Sequence, residues 1–234
     1  LWFETFGAPE HFKAFLKCLL KKFPKRLGRK YRFIPECENT PKYTNILSEN
    51  GFKTSSPKPY ETIWIDLDKD EEYLRANLKK SWRNMLSRAE KENLQLSWDD
   101  TGAAFSSLMK RYTQDRLEKG YDGPSIKTLM ALAKTFIPAR KLLIGRAIKD
   151  GKDAGCVLLL LHGSGATYQI GWTSSFGRKC GAQNLLLFDA MRVLKQRGVK
   201  HFDLGGVNDE SAKGVKQFKE GLGGELMCLP GIYS

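Results

Sequence analysis

Three apolar segments stand close together in the second half of the chain: Lys141–Ile148, Ala154–His162 and Ala166–Trp172. Asp150-Gly151 separates the first pair and Gly163-Ser164-Gly165 the second. Connections this short join only antiparallel neighbours, because a parallel crossover needs a dozen or more residues. The segments therefore predict an antiparallel meander. After it the pattern reads as a helix, Gln183–Arg197, ended by Gly198, then a strand, Lys200–Leu204. A helix at about Ala212–Gly221 and a short closing strand complete the order. This is not a doubly wound nucleotide fold, and no G-x-G-x-x-G or P-loop sequence asks for one.

The first part of the chain is less regular. His11–Phe23 places Phe12, Phe15, Leu16, Leu19, Leu20 and Phe23 on one face of a 3.6-residue period, and Pro24 closes it. Such a stripe is expected to pack on a sheet. Tyr31–Pro35 suits a short strand, Tyr43–Glu49 a short helix stopped by Asn50-Gly51, and Pro57-Lys58-Pro59 a linker-like break. Glu61–Leu67 suits a strand that buries Ile63, Ile65 and Leu67. Asp70–Glu92 reads as one long helix with acids first and bases after, as the helix dipole favours. Leu94–Ser97 follows as a strand, then helices over Ala103–Lys119 and Ser125–Phe136. The fold class is α/β with a mixed sheet.

Composition narrows the function. With 41% apolar residues the chain of 234 can bury a sizeable core. No apolar run approaches the roughly 18 residues of a membrane span. The opening, Leu1-Trp2-Phe3-Glu4, lacks the basic start and cleavage site of a secretory signal, and it lacks Met, so the natural protein is expected to begin earlier. Five scattered cysteines without a C-x-x-C pair, and three histidines, argue against a disulfide framework and against a metal site. The net charge of +13 favours an anionic partner. Part of that excess is a run of nine Lys/Arg between Glu10 and Glu36, from Lys13 to Arg32, with no acid among them.

Two constellations carry chemistry. In the first, Gly177-Arg178-Lys179-Cys180-Gly181-Ala182 opens a helix, where backbone N–H groups and the helix dipole can meet an anion. In the second, Asp203-Leu204-Gly205-Gly206 ends a strand and leaves room for a ligand. Lys213-Gly214-Val215-Lys216-Gln217-Phe218-Lys219 follows, with lysines able to reach that room.

The order of elements resembles GNAT acyltransferases, whose coenzyme A loop reads Q/R-x-x-G-x-G/A. Arg178 and Gly181 align with that loop, but Gln183 stands where it has a small residue. His201-Phe202-Asp203-Leu204-Gly205-Gly206, Gly214-Val215-Lys216-Gln217-Phe218-Lys219 and Gly223-Gly224 resemble the closing signature of the FemABX family. That family comprises peptidoglycan bridge aminoacyltransferases and their GNAT-like relatives. Trp82-Arg83-Asn84-Met85-Leu86-Ser87-Arg88-Ala89-Glu90-Lys91 is similar to its basic helix.

The resemblance implies two tandem GNAT-like domains. Residues 1–67 would be the end of the first, 68–93 a connecting basic helix and 94–234 the second. It implies aminoacyl-tRNA as donor, a lipid-linked peptidoglycan precursor as acceptor and a place in the cytoplasm at the inner membrane face, with no cofactor. It carries a phosphate-meeting role onto Lys219 and, with looser matching, onto Arg116; Tyr168 would line the acceptor site. Lys216, Gly205 and Gly206 complete the expected substrate-binding set, and Arg178, Gly181 and Ala182 the anion loop.

Lys219 is assigned electrostatic stabilisation, because an unshifted lysine is protonated at neutral pH. Asp203 is either a base or the brace of the glycine turn. Cys180, His162, His201, Trp82 and Trp172 are read as structural. Two rival functions use the same residues differently. An acyl-coenzyme A N-acyltransferase would rely on the Arg178 loop, and a non-catalytic module binding nucleic acid or membrane would rely on the basic run.

Overall fold

A computed structural model describes residues 9–24, 26–28, 32–37, 39–55, 58–207 and 213–234. The chain forms two compact units, one of residues 1–62, 206–212 and 226–234, the other of residues 63–205 and 213–225.

In the first unit, α1 (Pro9–Lys22) and α2 (Pro41–Glu49) pack together. Phe12, Leu16 and Leu19 of α1 meet Leu47, Phe33, Phe52 and Tyr233 in a small core. The apolar stripe is thus covered by α2 and by aromatic rings, not by a sheet. Phe33 stacks edge-on against Phe52, ring centroids 4.9 Å apart. The strand expected at Tyr31–Pro35 shrinks to one bridge, in which Phe33 exchanges backbone hydrogen bonds with Tyr233 at 3.1 and 2.8 Å. Pro35 has no N–H to extend the pairing, and Tyr31 lies outside the described residues. So do Lys25, Arg29 and Lys30 of the basic run, Pro57 of the expected linker and Ala212 at the expected start of the last helix.

Among the described residues seven strands form one mixed sheet. They are β1 (Tyr60–Asp66), β2 (Gln95–Asp99), β3 (Leu142–Lys149), β4 (Lys152–His162), β5 (Gly165–Thr173), β6 (His201–Gly206) and β7 (Glu225–Leu229), in the order β2-β3-β4-β5-β6-β1-β7. The meander is antiparallel, as its turns require.

The second unit supplies α3 (Glu71–Ala76), α4 (Lys80–Ala89), α5 (Phe105–Lys119), α6 (Ile126–Phe136), α7 (Ser175–Cys180), α8 (Ala182–Gln196) and α9 (Lys213–Glu220). β4 is buried along almost its whole length because helices cover both sheet faces. Leu142, Ile144, Leu158, Leu160 and Ile170 share a core with Leu108 and Tyr112 of α5 and Leu129 of α6, while α8 packs on β3 and β4.

The single helix expected over Asp70–Glu92 is two. Asp70 caps α3 by accepting from the Tyr73 N–H at 2.7 Å, and α3 ends at Asn77. Lys79 then donates its N–H to the Gly221 carbonyl at 3.0 Å instead of to an α-helical partner. Gly223 comes so close that an added Cβ would lie 2.3 Å from the Asn77 carbonyl oxygen. The break is made by the turn after α9, a partner about 140 residues away that no local pattern announces.

Candidate active site

β5 and β6 run parallel for three pairs only, Gly165↔His201, Ala166↔Phe202 and Thr167↔Asp203. Beyond them the two strands are no longer paired, and Tyr168 is the first β5 residue past the last pair. The end of α9 enters here. Lys219 is 8% exposed, and its Nζ donates to the Gly205 carbonyl at 3.2 Å and lies 5.9 Å from the centroid of the Tyr168 ring. Asp203, also buried, accepts the Gly205 N–H at 2.8 Å and so closes the turn that presents that carbonyl. Gly205 adopts φ +74°, a conformation that glycine takes without a Cβ penalty.

The paired glycines were expected to leave room for a ligand. Instead they admit the protein's own groups. A Cβ on Gly205 would stand 3.1 Å from the Tyr168 carbonyl and 3.6 Å from Lys219 Nζ, and one on Gly206 would meet the Tyr60 ring at 3.0 Å. The open space lies on the other side of Lys219, in a cleft of about 670 Å³.

Burial lowers the Lys219 pKa from 10.5 to about 8, with the Asp203 charge opposing the shift. Nothing in the local sequence announces this shift. Lys219 remains mostly cationic at neutral pH, by about ten to one, but it gives up its proton far more readily than a surface lysine.

Of the residues singled out from sequence, Lys219, Tyr168, Arg178 and Gly181 line the cleft. Asp203 and Gly205 sit behind Lys219 and do not reach it. Arg116 is not among the lining residues: its Nε donates to the Tyr121 carbonyl at 3.3 Å, bracing the end of α5. The α5 side chains at the cleft are Asp115 and Lys119, which pair with each other. Lys216 is also absent from the lining, and Ala182 is fully buried.

The anion loop takes an unexpected form, because most of it is the helix α7. Ser174 caps this helix by accepting from the Gly177 N–H at 2.9 Å. Gly177 and Gly181 serve close packing: a Cβ would fall 1.9 Å from the Ala154 carbonyl oxygen at the first and 2.8 Å from that of Met85 at the second. The Cys180 thiol donates to the Gly177 carbonyl at 3.6 Å, within α7. Arg178 is exposed at the cleft and holds the Thr173 carbonyl at 3.0 Å. Burial raises the Cys180 thiol pKa, which suits a structural cysteine.

Gln183 links the loop to β5. Its Nε2 donates to the Tyr168 hydroxyl at 2.9 Å, and its Oε1 accepts from the Thr173 hydroxyl at 3.0 Å. Burial pushes the Tyr168 phenol up to about 12, so it stays neutral. A Cβ on Gly171 would stand 1.9 Å from the Tyr168 oxygen, so glycine there is what lets the phenol lie across the strand.

Trp82, Met85, Trp172, Asn184 and Phe218 also line the cleft. Trp82 also packs, at 4% exposure and with its ring centroid 5.8 Å from that of Phe218, and a tryptophan in an apolar stripe gives no sign of which part of its ring faces open space. The one signal was the Trp82-Arg83-Asn84 motif itself.

A meander covered by helices, two parallel strands that part, and a cleft at the parting define an acyltransferase fold. The chain belongs to the acetyltransferase (GNAT) domain family, whose model matches residues 74–220. A comparison with curated protein sequences finds no match. Among solved structures, FemX superposes with a TM-score of 0.76 at 15% identity, covering 96% of this chain and 76% of that one. L-PGS from Bacillus licheniformis gives 0.57 at 15% identity, covering 96% and 72%. The C-terminal domain of a protein assigned as a lysylphosphatidylglycerol synthetase, from Agrobacterium fabrum, gives 0.61 at 14%, covering 96% and 72%. At such identities the likeness is one of fold. Among the described residues no helix is long and apolar enough to cross a membrane, and no group of three metal-ligating side chains occurs.

Proposed function

We propose that the chain transfers an aminoacyl group from aminoacyl-tRNA to an amine on the peptide of a lipid-linked peptidoglycan precursor. The observation that carries this reading is the buried Lys219 ammonium, held at the parting of β5 and β6 and facing a cleft large enough for two reactants. The FemX-like fold and the FemABX-like closing motifs favour an aminoacyl donor.

In such a transfer the amine nitrogen attacks the ester carbonyl, a carbon–nitrogen bond forms and the carbon–oxygen bond to the tRNA ribose breaks. The amine loses one proton and the departing ribose oxygen gains one. Holding the two reactants together can supply about 7–11 kcal/mol of the barrier. Lys219 stabilises the charge that develops on oxygen. Its lowered pKa also suits it to pass its proton to the leaving oxygen and recover one from the attacking nitrogen. Asp203 acts as the brace of the glycine turn, through Gly205, and keeps positive charge on Lys219. Tyr168 forms the floor beneath the acceptor, and Arg178 and Lys119 offer positive charge for phosphate.

On this reading residues 1–67 close a first GNAT-like domain, 68–93 connect and 94–234 form the second. The enzyme works in the cytoplasm at the inner membrane face.

An acyl-coenzyme A donor is the second reading, favoured by the family match. It needs open N–H groups at the start of α8, where Ala182 is fully buried. The test offers the purified protein charged tRNA and acyl-coenzyme A side by side, with a lipid-linked precursor, and follows the acceptor by mass spectrometry. A mass increase of one amino-acid residue, dependent on charged tRNA, is expected. An acyl increment from coenzyme A alone would replace the first reading by the second.

A further inference from the structure

One side of α4 is a row of cations. At the helical spacing Lys80, Arg83, Asn84, Ser87 and Arg88 share a face, and Lys91, just past the helix end, continues it; all four cations are exposed. Trp82, Leu86 and Ala89 occupy the buried side, and Ser81 and Met85, between the two, line the cleft. α7 extends the row. A Cβ on Gly181, directly after α7, would stand 2.8 Å from the Met85 carbonyl oxygen and 3.3 Å from the Ala89 Cβ, so the two helices touch. Arg178 and Lys179 are exposed at that end of α7, and Arg178 also lines the cleft.

Several other cations of this unit are matched by acids: Arg75 by Glu90, Lys79 by Glu220, Arg192 by Glu71, and Arg140 and Arg197 by Asp100. Those on the α4–α7 ridge are not. None of them forms an ion pair among the described residues. Arg83 and Arg178 donate to the Leu78 and Thr173 carbonyls, at 3.2 and 3.0 Å, which leaves their charge in place. No acid occurs in the sequence between Glu72 and Glu90, and Glu90 is held by Arg75 through two bonds of 2.7 and 2.6 Å. Like charges crowded together repel, and a polyanion laid along them removes that cost.

The extent of the ridge selects the polyanion. Lys80 and Arg88 alone lie about 12 Å apart along the helix, more than one phosphate or pyrophosphate group covers. A lipid surface calls for apolar side chains that sink below the headgroups. The cationic face of α4 has none, and among the described residues Phe176 is the one large apolar side chain exposed on either helix. A nucleic-acid strand calls only for cations in a row, and a lone aromatic ring beside them can stack a base.

We propose that the α4–α7 ridge is an RNA-docking surface, which grips the phosphate backbone of the donor tRNA beside the cleft, with Arg178 where the strand enters. The inference rests on the reading of aminoacyl-tRNA as donor, and it makes the grip electrostatic and indifferent to base sequence.

Binding of uncharged tRNA to the intact chain, followed by fluorescence anisotropy over a range of salt, tests it. The logarithm of the binding constant should fall linearly with that of the salt concentration. Lys80→Gln combined with Arg88→Gln should make the slope shallower by about two and weaken binding about tenfold. Lys127→Gln combined with Lys134→Gln, exposed on α6 and outside the cleft lining, removes the same charge and should leave both quantities parental. Equal losses from the two pairs, or none from the ridge pair, overturn the surface. So does a ridge pair that keeps its grip on tRNA but loses binding to phosphatidylglycerol vesicles, which would make the ridge a membrane contact. Transfer assays separate the two levels. If the ridge pair loses tRNA while the parent moves no aminoacyl group, the surface stands and the donor reading falls. If the parent transfers and the ridge pair does so with an unchanged KM for charged tRNA, the surface falls and the donor reading stands.

Discussion

Gln183 donates from Nε2 to the Tyr168 hydroxyl at 2.9 Å, joining the start of α8 to the strand that floors the cleft. The position is where coenzyme A loops have a small residue, so the departure has a physical use: it fixes a phenol. Gln183→Gly would restore the small residue yet leave Tyr168 loose and Ala182 fully buried. We expect such a variant to gain no coenzyme A affinity in a thermal-shift titration, and its transfer rate to fall about tenfold.

Lys219 carries the heaviest prediction. Lys219→Ala should lower transfer by about 100–1,000-fold, the usual loss when one donor to a developing oxyanion is removed. The rate of the parent should fall as pH rises through about 8, where the ammonium loses its proton, and that limb should be missing from Lys219→Ala. A parental rate flat from pH 7 to 10 would contradict the assigned role.

The same shift makes a statement about stability. Because the folded pKa of about 8 lies below the unfolded 10.5, the unfolded chain binds more protons between these values. Stability should therefore rise with pH across that window, by up to about 3 kcal/mol, while below pH 8 the burial penalty is present in full. Denaturant melts of the parent and of Lys219→Met between pH 7 and 10.5 should show the rise in the parent only.

Gly171→Ala tests the room made for the phenol. Its Cβ would stand 1.9 Å from the Tyr168 oxygen, so the ring must swing away and break its bond to Gln183. Transfer should drop while circular dichroism stays near parental, because the displaced group borders open space and not the core.

Asp153 anchors a different part of the cleft wall. Its nearly buried carboxylate holds Arg146 at 2.7 Å and Arg111 at 3.0 Å, and the Arg111 guanidinium lies 4.5 Å from the Trp172 ring centroid. Removing one partner of a buried pair typically costs about 3–5 kcal/mol. Both arginines are about one-third exposed, so Asp153→Ala should sit at the low end of that range. A chemical melt measures it, and a loss below about 1 kcal/mol would mean that water replaces the carboxylate.

Local chemistry alone determined the meander, since Asp150-Gly151 and Gly163-Ser164-Gly165 leave no length for any other connection. The helices α1, α2, α5, α6 and α8 were legible from apolar period and stop residues, the closing motifs led to Lys219, and the family resemblance led to Tyr168. What tertiary structure decided was every feature that depends on a distant partner. The turn at Gly221–Gly223 splits the helix after Asp70, Ala154 and Met85 make Gly177 and Gly181 packing glycines, and Tyr60 takes the place beside Gly206. It also decided which side of a residue faces open space. Arg116 turns to the Tyr121 carbonyl while Asp115 and Lys119 on the same helix face the cleft, and Trp82 and Trp172 line it. Periodicity records which residues are apolar; it does not record where two strands part, and that parting is what creates the site.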